Sequence, residues 1–199
     1  LVRHGETTGE STVRFHGSND VPLSDLGRQQ IRALQPLLQG VEFAAVLHSP
    51  MLRAAESASI LGELLAIDRA RFRADERLRE ISFGHCEGLT LPEIEAAYPG
   101  FWASYLAGTV DSFPGGEPKP QFAARVSAAI QEVVAQDWRG DLLVVAHRGI
   151  VRVTLSTLLG LPIVGRDPYA VELGTLSVLR EQPGDSTGGW QLELLGARA

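Results

Sequence analysis

Two stretches near opposite ends of the chain, "LVRHGE" at 1–6 and "LLVVAHRG" at 142–149, share one pattern. Each is a short apolar run that stops at basic residues and glycine, which marks the carboxyl end of a strand in an α/β sheet, where ligands collect. A third run, "FAAVLHSP", ends at Ser49 and Pro50 and passes at once into the helix-patterned "MLRAAESASILGELL", with Arg53 in its first turns. Strands that alternate with helices run parallel through right-handed crossovers, so their carboxyl ends share one edge of the sheet. Arg3 with His4, Arg53, and His147 with Arg148 are therefore expected to converge on one pocket. The first run is so abrupt that a few residues of its strand are expected ahead of Leu1, and any targeting signal there would be invisible.

The remaining segments fit the same frame. In "PLSDLGRQQIRALQPLLQG", Ser24 is a suitable N-cap, Ile31, Leu34, Leu37 and Leu38 make an apolar helix face, and Gly40 is expected to close the helix. "FAARVSAAIQEVVAQ" and "IVRVTLSTLLG" read as helices before and after the "DLLVVAHRG" strand. Two late strands, "AVELGTLSVLRE" and "GWQLELLG", flank a Gly/Ser/Pro/Asp loop and suggest a closing hairpin. From about Leu78 to Gly116 the pattern is irregular, with Gly and Pro clusters and one helical stretch around Leu91 to Leu106. That segment reads as an insertion forming a partial lid. The expected fold is a single α/β domain over 1–199, a three-layer αβα sandwich with a mainly parallel central sheet.

Composition narrows the partners. A net charge of −6, from 18 Lys and Arg against 24 Asp and Glu, disfavours nucleic acid or an anionic membrane. No apolar run approaches the length needed to cross a bilayer. The single cysteine, Cys86, cannot pair within the chain, and a cytoplasmic setting is expected. The five histidines lack the short-range pairs or helical spacing of zinc ligands, so neither a metal nor another cofactor is expected. A homodimer is allowed for, although the mixed exposed faces mark no interface.

The converging residues suit a phosphoryl group. Arginines offer planar, permanently charged donors to phosphate oxygens, and a neutral imidazole is a nucleophile that needs no metal. Neighbouring guanidiniums would also keep His4 neutral. Such chemistry rests on positioning and on neutralising the equatorial oxygens.

Taken in order, "LVRHGET", "RFHGSNDVPLSDLG", "SPMLRAAESA", "LREISFGHCEG", "PGGEP" and "VVAHRGIVR" resemble the histidine phosphatase superfamily, in its phosphoglycerate mutase-like branch. The resemblance runs from Leu1 to about Arg152. It implies that His4 is the nucleophile that becomes phosphohistidine, that Arg3 and Arg53 bind the phosphate, and that His147 stabilises the transferring group. It also implies that Glu80 is the carboxylic acid that protonates the leaving oxygen and later activates water. The implied activity is hydrolysis of small phosphorylated metabolites such as sugar phosphates, phosphoglycerates or α-ribazole phosphate. Two other readings stand beside it: a cofactor-dependent phosphoglycerate mutase using the same residues, and a catalytically impaired module that binds a phospho-ligand.

The chain departs from the family pattern in three places. Gly9-Glu10 replaces the usual Trp-Asn, Arg148 follows the second histidine where glycine is common, and Cys86 stands where an aromatic often precedes "EG". These are read as clues to substrate preference. Glu10 would repel a phosphate unless it turns away or pairs with Arg14. Arg14 and His16 belong either to the substrate pocket or to an exposed turn, and Arg148 is assigned to substrate binding. His48 and His85 read as capped or solvated side chains, Glu117 as part of a turn, Glu87 as a structural partner of its loop, and Cys86 as a packed thiol.

Overall fold

The computed structural model describes residues 1–10, 12–163, 169–182 and 189–198. Its sheet contains β1 (Val2–Arg3), β2 (Phe43–His48), β3 (Phe72–Ala74), β4 (Asp141–Ala146), β5 (Leu176–Glu181) and β6 (Trp190–Ala197), in the order β3-β2-β4-β1-β5-β6. The first four strands pair in parallel, while β5 joins β1 antiparallel and β6 joins β5 antiparallel. The sheet is thus mainly parallel, as expected, with the late hairpin closing one side. The loop assigned to the tip of that hairpin, 183–188, lies outside the described residues.

Alternation along the central strands builds the layers. In register, Val46 faces Leu143 and Leu47 faces Val144. Val46, Leu143 and Val145 join one apolar cluster, whereas Leu47, Val144 and Ala146 join another on the opposite face. Successive strand side chains point to opposite faces, so two cores are the direct result of continuous apolar runs. On the first face lie α1 (Asp25–Ala33), α2 (Gln35–Leu38) and α3 (Leu52–Leu64), which supply Ile31, Leu38, Ile60 and Leu61. On the second, α6 (Lys119–Val134) supplies Phe122, Val126, Ile130 and Val133, and α7 (Arg148–Leu158) supplies Ile150 and Val153. Intervals of three and four residues place each set on one helix face.

Three expectations need correction. The helix from Ser24 does not continue to Gly40: its cap holds, with Ser24 Oγ accepting the Gly27 N–H, but α1 ends at Ala33 and a separate α2 follows. Pro36 lacks the N–H that a continuous helix would donate to Arg32, and the chain breaks there. The helical stretch from Leu91 to Leu106 is instead α4 (Leu91–Ala97) and α5 (Phe101–Ala107). Pro99 and Gly100 interrupt it, Gly100 being at φ 77°, a left-handed conformation that glycine tolerates. The strand expected from Ala170 begins only at Leu176. A turn precedes it, with Thr175 Oγ1 donating to the Glu172 carbonyl.

The 78–116 segment builds a separate apolar cluster together with Phe15. Cys86, Ile94 and Phe113 are buried there, and Phe15, Phe83, Phe101, Trp102 and Tyr105 pack around them. Phe113 lies within 4.7 Å, centroid to centroid, of both Phe83 and Tyr105.

Candidate active site

The strand ends converge. His4 follows β1, His147 follows β4, and β1 pairs with β4 through Arg3 and Ala146, so the two histidines are set side by side. Their rings meet edge to face with centroids 5.2 Å apart. Both are buried, at 5% and 0% exposure, as is Arg53 at 2%. Three buried groups of this polarity in one place mark a binding site rather than a core.

Each imidazole is oriented by a partner. The Gly5 carbonyl can only accept, so the His4 Nδ1–H donates to it at 2.7 Å and the Nε2 lone pair is left bare. His147 Nε2 lies 2.8 Å from Ser49 Oγ, which already accepts the Met51 N–H at 3.3 Å. A Ser49 hydroxyl that donates to His147 Nε2 places the ring proton on Nδ1, a buried atom with no hydrogen-bond partner among the described residues. His147 is also the N-cap residue of α7, where the helix dipole favours negative charge.

Burial, then the guanidiniums of Arg53 and Arg3, push His4 well below the ordinary histidine value. For His147 the causes are burial, Arg53, His4 and Arg3. Both rings are thereby held neutral. Arg3 donates through Nη1 to the Val171 carbonyl at 2.7 Å, while its buried Nε has no partner among the described residues. Burial draws its pKa down to about 10, against the opposing charge of Glu80. Arg53, in the first turn of α3, is anchored by the carbonyls of Gly17 at 2.7 Å and Asn19 at 2.8 Å. Two arginines held this rigidly are prepared to neutralise an anion without reorganising.

Glu80 lies within the electrostatic reach of Arg3 and Arg53. Its Oε1 accepts the Ile81 N–H at 3.0 Å and its Oε2 accepts the Gly149 N–H at 3.1 Å. A β-carbon at Gly149 would stand 2.4 Å from Oε1, so any larger residue there would have to displace the Glu80 carboxylate.

The other sequence candidates fall around this centre. His16 is half-buried, its buried Nε2 has no partner among the described residues, and burial followed by the Arg53 charge lowers its pKa. Arg148 is exposed at the start of α7, and its charge is felt at Arg3. Arg14 is tied to its own surroundings. Its Nε donates to Glu10 at 3.0 Å, and its Nη1 donates to the Gly88 carbonyl at 2.8 Å and to Glu93 at 3.1 Å. The Glu10 carboxylate is thus paired with Arg14, the arrangement under which it does not oppose a phosphate. Among the described residues, no group of three or more His, Cys, Asp or Glu side chains is clustered to hold a metal ion.

Three contributors were not assigned to the site by sequence reasoning. Ser49, which orients His147, was legible only as the residue ending β2. Glu87 Oε1 accepts from Ser18 N–H and Oγ, Ser82 Oγ and Phe83 N–H, tying the loop that anchors Arg53 to the segment after Glu80. Arg125, on α6, reaches the backbone around Glu80, and nothing in an amphipathic helix pattern marks one polar residue for that task.

Comparison with known proteins fits this geometry. A family model described as the histidine phosphatase superfamily, branch 1, matches residues 1–196. The glucosyl-3-phosphoglycerate phosphatase of Mycolicibacterium vanbaalenii is 33% identical over 172 residues, covering 82% of this chain and 74% of that protein. A probable phosphoglycerate mutase GpmB of Enterobacter sp. is 28% identical over 200 residues, covering 98% and 91%. The crystal structure of the α-ribazole phosphatase from Shigella flexneri superposes with a TM-score of 0.85 at 25% identity, covering 100% of this chain and 96% of that one.

Proposed function

The chain belongs to the histidine phosphatase superfamily, branch 1, and from that premise we propose that it hydrolyses small phosphomonoesters through a phosphohistidine on His4. The observation that carries the proposal is the orientation of His4: Nδ1 is committed to the Gly5 carbonyl, and Nε2 is left bare beside Arg3, Arg53 and His147. In the first step the Nε2 lone pair attacks phosphorus, the bond from phosphorus to the alcohol oxygen breaks, and Glu80 gives that oxygen its proton. Arg3, Arg53 and His147 Nδ1–H carry the charge of the transferring group. In the second step water attacks the phosphohistidine and loses a proton to Glu80. Inorganic phosphate leaves, and His4 and Glu80 return to their starting states.

The relatives frame the substrate class. The two phosphatases named above act, by their names, on glucosyl-3-phosphoglycerate and α-ribazole phosphate, both phosphomonoesters of larger alcohols. We assign this chain the same class, with His16 and Arg148 lining the alcohol side of the pocket. Arg14 acts at a distance by holding Glu10. A lone cysteine, buried in the insertion, suits a reducing compartment, and we place the reaction in the cytoplasm.

The test is to incubate the protein with a panel of phosphorylated metabolites, quench in base, and look for phosphate on His4 by mass spectrometry while measuring released phosphate. Labelling that turns over, and that His4→Asn abolishes, is the expected result. Binding of phosphate by a folded protein that never labels would reduce the site to a recognition module. The GpmB relatives, which match nearly the whole chain, favour a second reading as a mutase. 3-Phosphoglycerate with and without a bisphosphate primer separates the two, since a mutase returns the phosphoryl group and a hydrolase releases it.

A further inference from the structure

The segment that presents Glu80 has little support of its own. It follows the 3-10 turn Glu76–Leu78 and runs through residues 79–83 without helix or strand. Beside the bonds of the Glu80 carboxylate and the tie to Glu87, Arg125 clamps its backbone. Nη1 donates to the carbonyls of Arg77 at 2.6 Å and Arg79 at 2.9 Å, and Nη2 reaches the Glu80 carbonyl at 3.4 Å. The remaining side of the guanidinium makes a bidentate pair with Glu117, Nε to Oε1 at 2.7 Å and Nη2 to Oε2 at 2.8 Å. All five N–H donors are therefore engaged, with the group lying over the Phe122 ring at 4.7 Å. Both side chains are mostly withdrawn from solvent, at 25% and 20% exposure.

We propose that the Glu117–Arg125 pair positions Glu80 for proton transfer to the leaving alcohol. Neither residue touches the reacting atoms. Arg125 fixes the three carbonyls flanking the acid, and Glu117 fixes the plane of Arg125. Glu117 is itself anchored, its N–H donating to the Ser82 carbonyl at 3.0 Å, so the clamp closes on both sides of Glu80. A lysine at 125 would keep the charge but not the fork, since three donors on one nitrogen cannot span a carboxylate and three carbonyls. The inference rests on the hydrolase reading above and adds residues to it.

A positioning role for the acid has a signature that general damage lacks. Departure of an alkyl alcohol requires a proton, whereas p-nitrophenolate leaves without one. The ratio kcat/KM covers only the steps through loss of the alcohol, so slow release of phosphate from His4 does not mask the difference. With Arg125→Lys, kcat/KM for an alkyl phosphate is expected to fall about 100-fold, and that for p-nitrophenyl phosphate less than about threefold. Glu117→Gln, which leaves the guanidinium on its carbonyls, is expected to change the two esters in the same direction by about 10-fold and by less than about threefold. Melting curves establish that each variant is folded, and Glu117→Gln carries the test should Arg125→Lys not fold. Equal losses on both esters, or no loss on either, would overturn the proposal. Failure of the wild-type protein to hydrolyse either ester would overturn the hydrolase reading first, and this inference with it.

Discussion

Gly149 donates its N–H to Oε2 of Glu80 at 3.1 Å and leaves bare the space that a β-carbon would fill 2.4 Å from Oε1. The carboxyl group is therefore seated by the first turn of the helix that begins immediately after His147. Its position is coupled to the histidine pair by backbone rather than by a flexible side chain.

Gly149→Ala should displace that carboxyl. A shift approaching 1 Å at a reacting group costs about 100-fold in rate, and a loss of that order in kcat/KM on an alkyl phosphate is expected. The nearby Phe122 ring, 2.9 Å from the same β-carbon, adds an overpacking cost of about 1–3 kcal/mol. Inorganic phosphate should still bind within about threefold of wild type, because its arginines are untouched. Steady-state kinetics beside phosphate titration checks the split.

Ser49→Ala removes the group that, among the described residues, hydrogen-bonds the His147 ring. A fully buried Nε2 then has no partner, at about 1–3 kcal/mol in stability. The proton is free to move to Nε2, so the Nδ1 donor weakens and kcat is expected to drop about 10-fold or more. Ser49→Thr, keeping the hydroxyl, should recover most of it. An alanine variant with unchanged kcat would remove Ser49 from the mechanism.

Stability should fall on the acid side of neutrality. His4, His147 and His16 all have folded-state pKa values below the unfolded value of 6.5, so the unfolded chain takes up protons that the folded one refuses. Their contribution is intact above pH 6.5 and is lost as pH drops toward the depressed values. The loss is up to about 1.4 kcal/mol per pH unit for each of the buried His4 and His147 rings, and less for the partly solvated His16. Urea denaturation between about pH 7.5 and about pH 5.5 should show it, and a His4→Gln, His147→Gln double variant should lose about half of the slope or more. A wild type equally stable at both ends would contradict the neutral pair.

Glu10→Asn should be nearly silent. The carboxylate is already paired with Arg14 in a largely exposed position, and such pairs contribute little. The residue sits at φ 61°, where asparagine is better tolerated than glutamate, which offsets the lost pair. The melting temperature should move by no more than about 2 °C and kcat/KM by less than about threefold. A large gain in rate would mean that Glu10 obstructs the pocket after all.

The sequence carried the strand ends well, because an apolar run stopping at His and Gly is written by adjacent residues. His4, Arg53 and His147 could be assembled by parallel topology alone. What it hid was anything arranged by long-range packing: Arg125 reaching across to the carbonyls before Glu80, or Glu87 gathering four donors from two loops. The helix breaks at Pro36 and Pro99 were legible in principle and were overridden by apolar periodicity on either side. Arg14 illustrates a third kind of loss. A cation near a phosphate motif reads as a ligand, while its ion pairs with Glu10 and Glu93 are visible only in the fold.

The aromatic cluster of the insertion has a bearing on how such a protein can diversify. Phe113 touches Phe15, whose loop continues to the carbonyl holding Arg53; Phe83, three residues past the acid; and Phe101 and Tyr105 of α5. Descendants that trade one alcohol for another are thus not at liberty to replace the insertion wholesale, since the rings that seat it also steady the chemistry. They inherit freedom on the outward side of α5, at Ala103 and Leu106, where a change meets solvent.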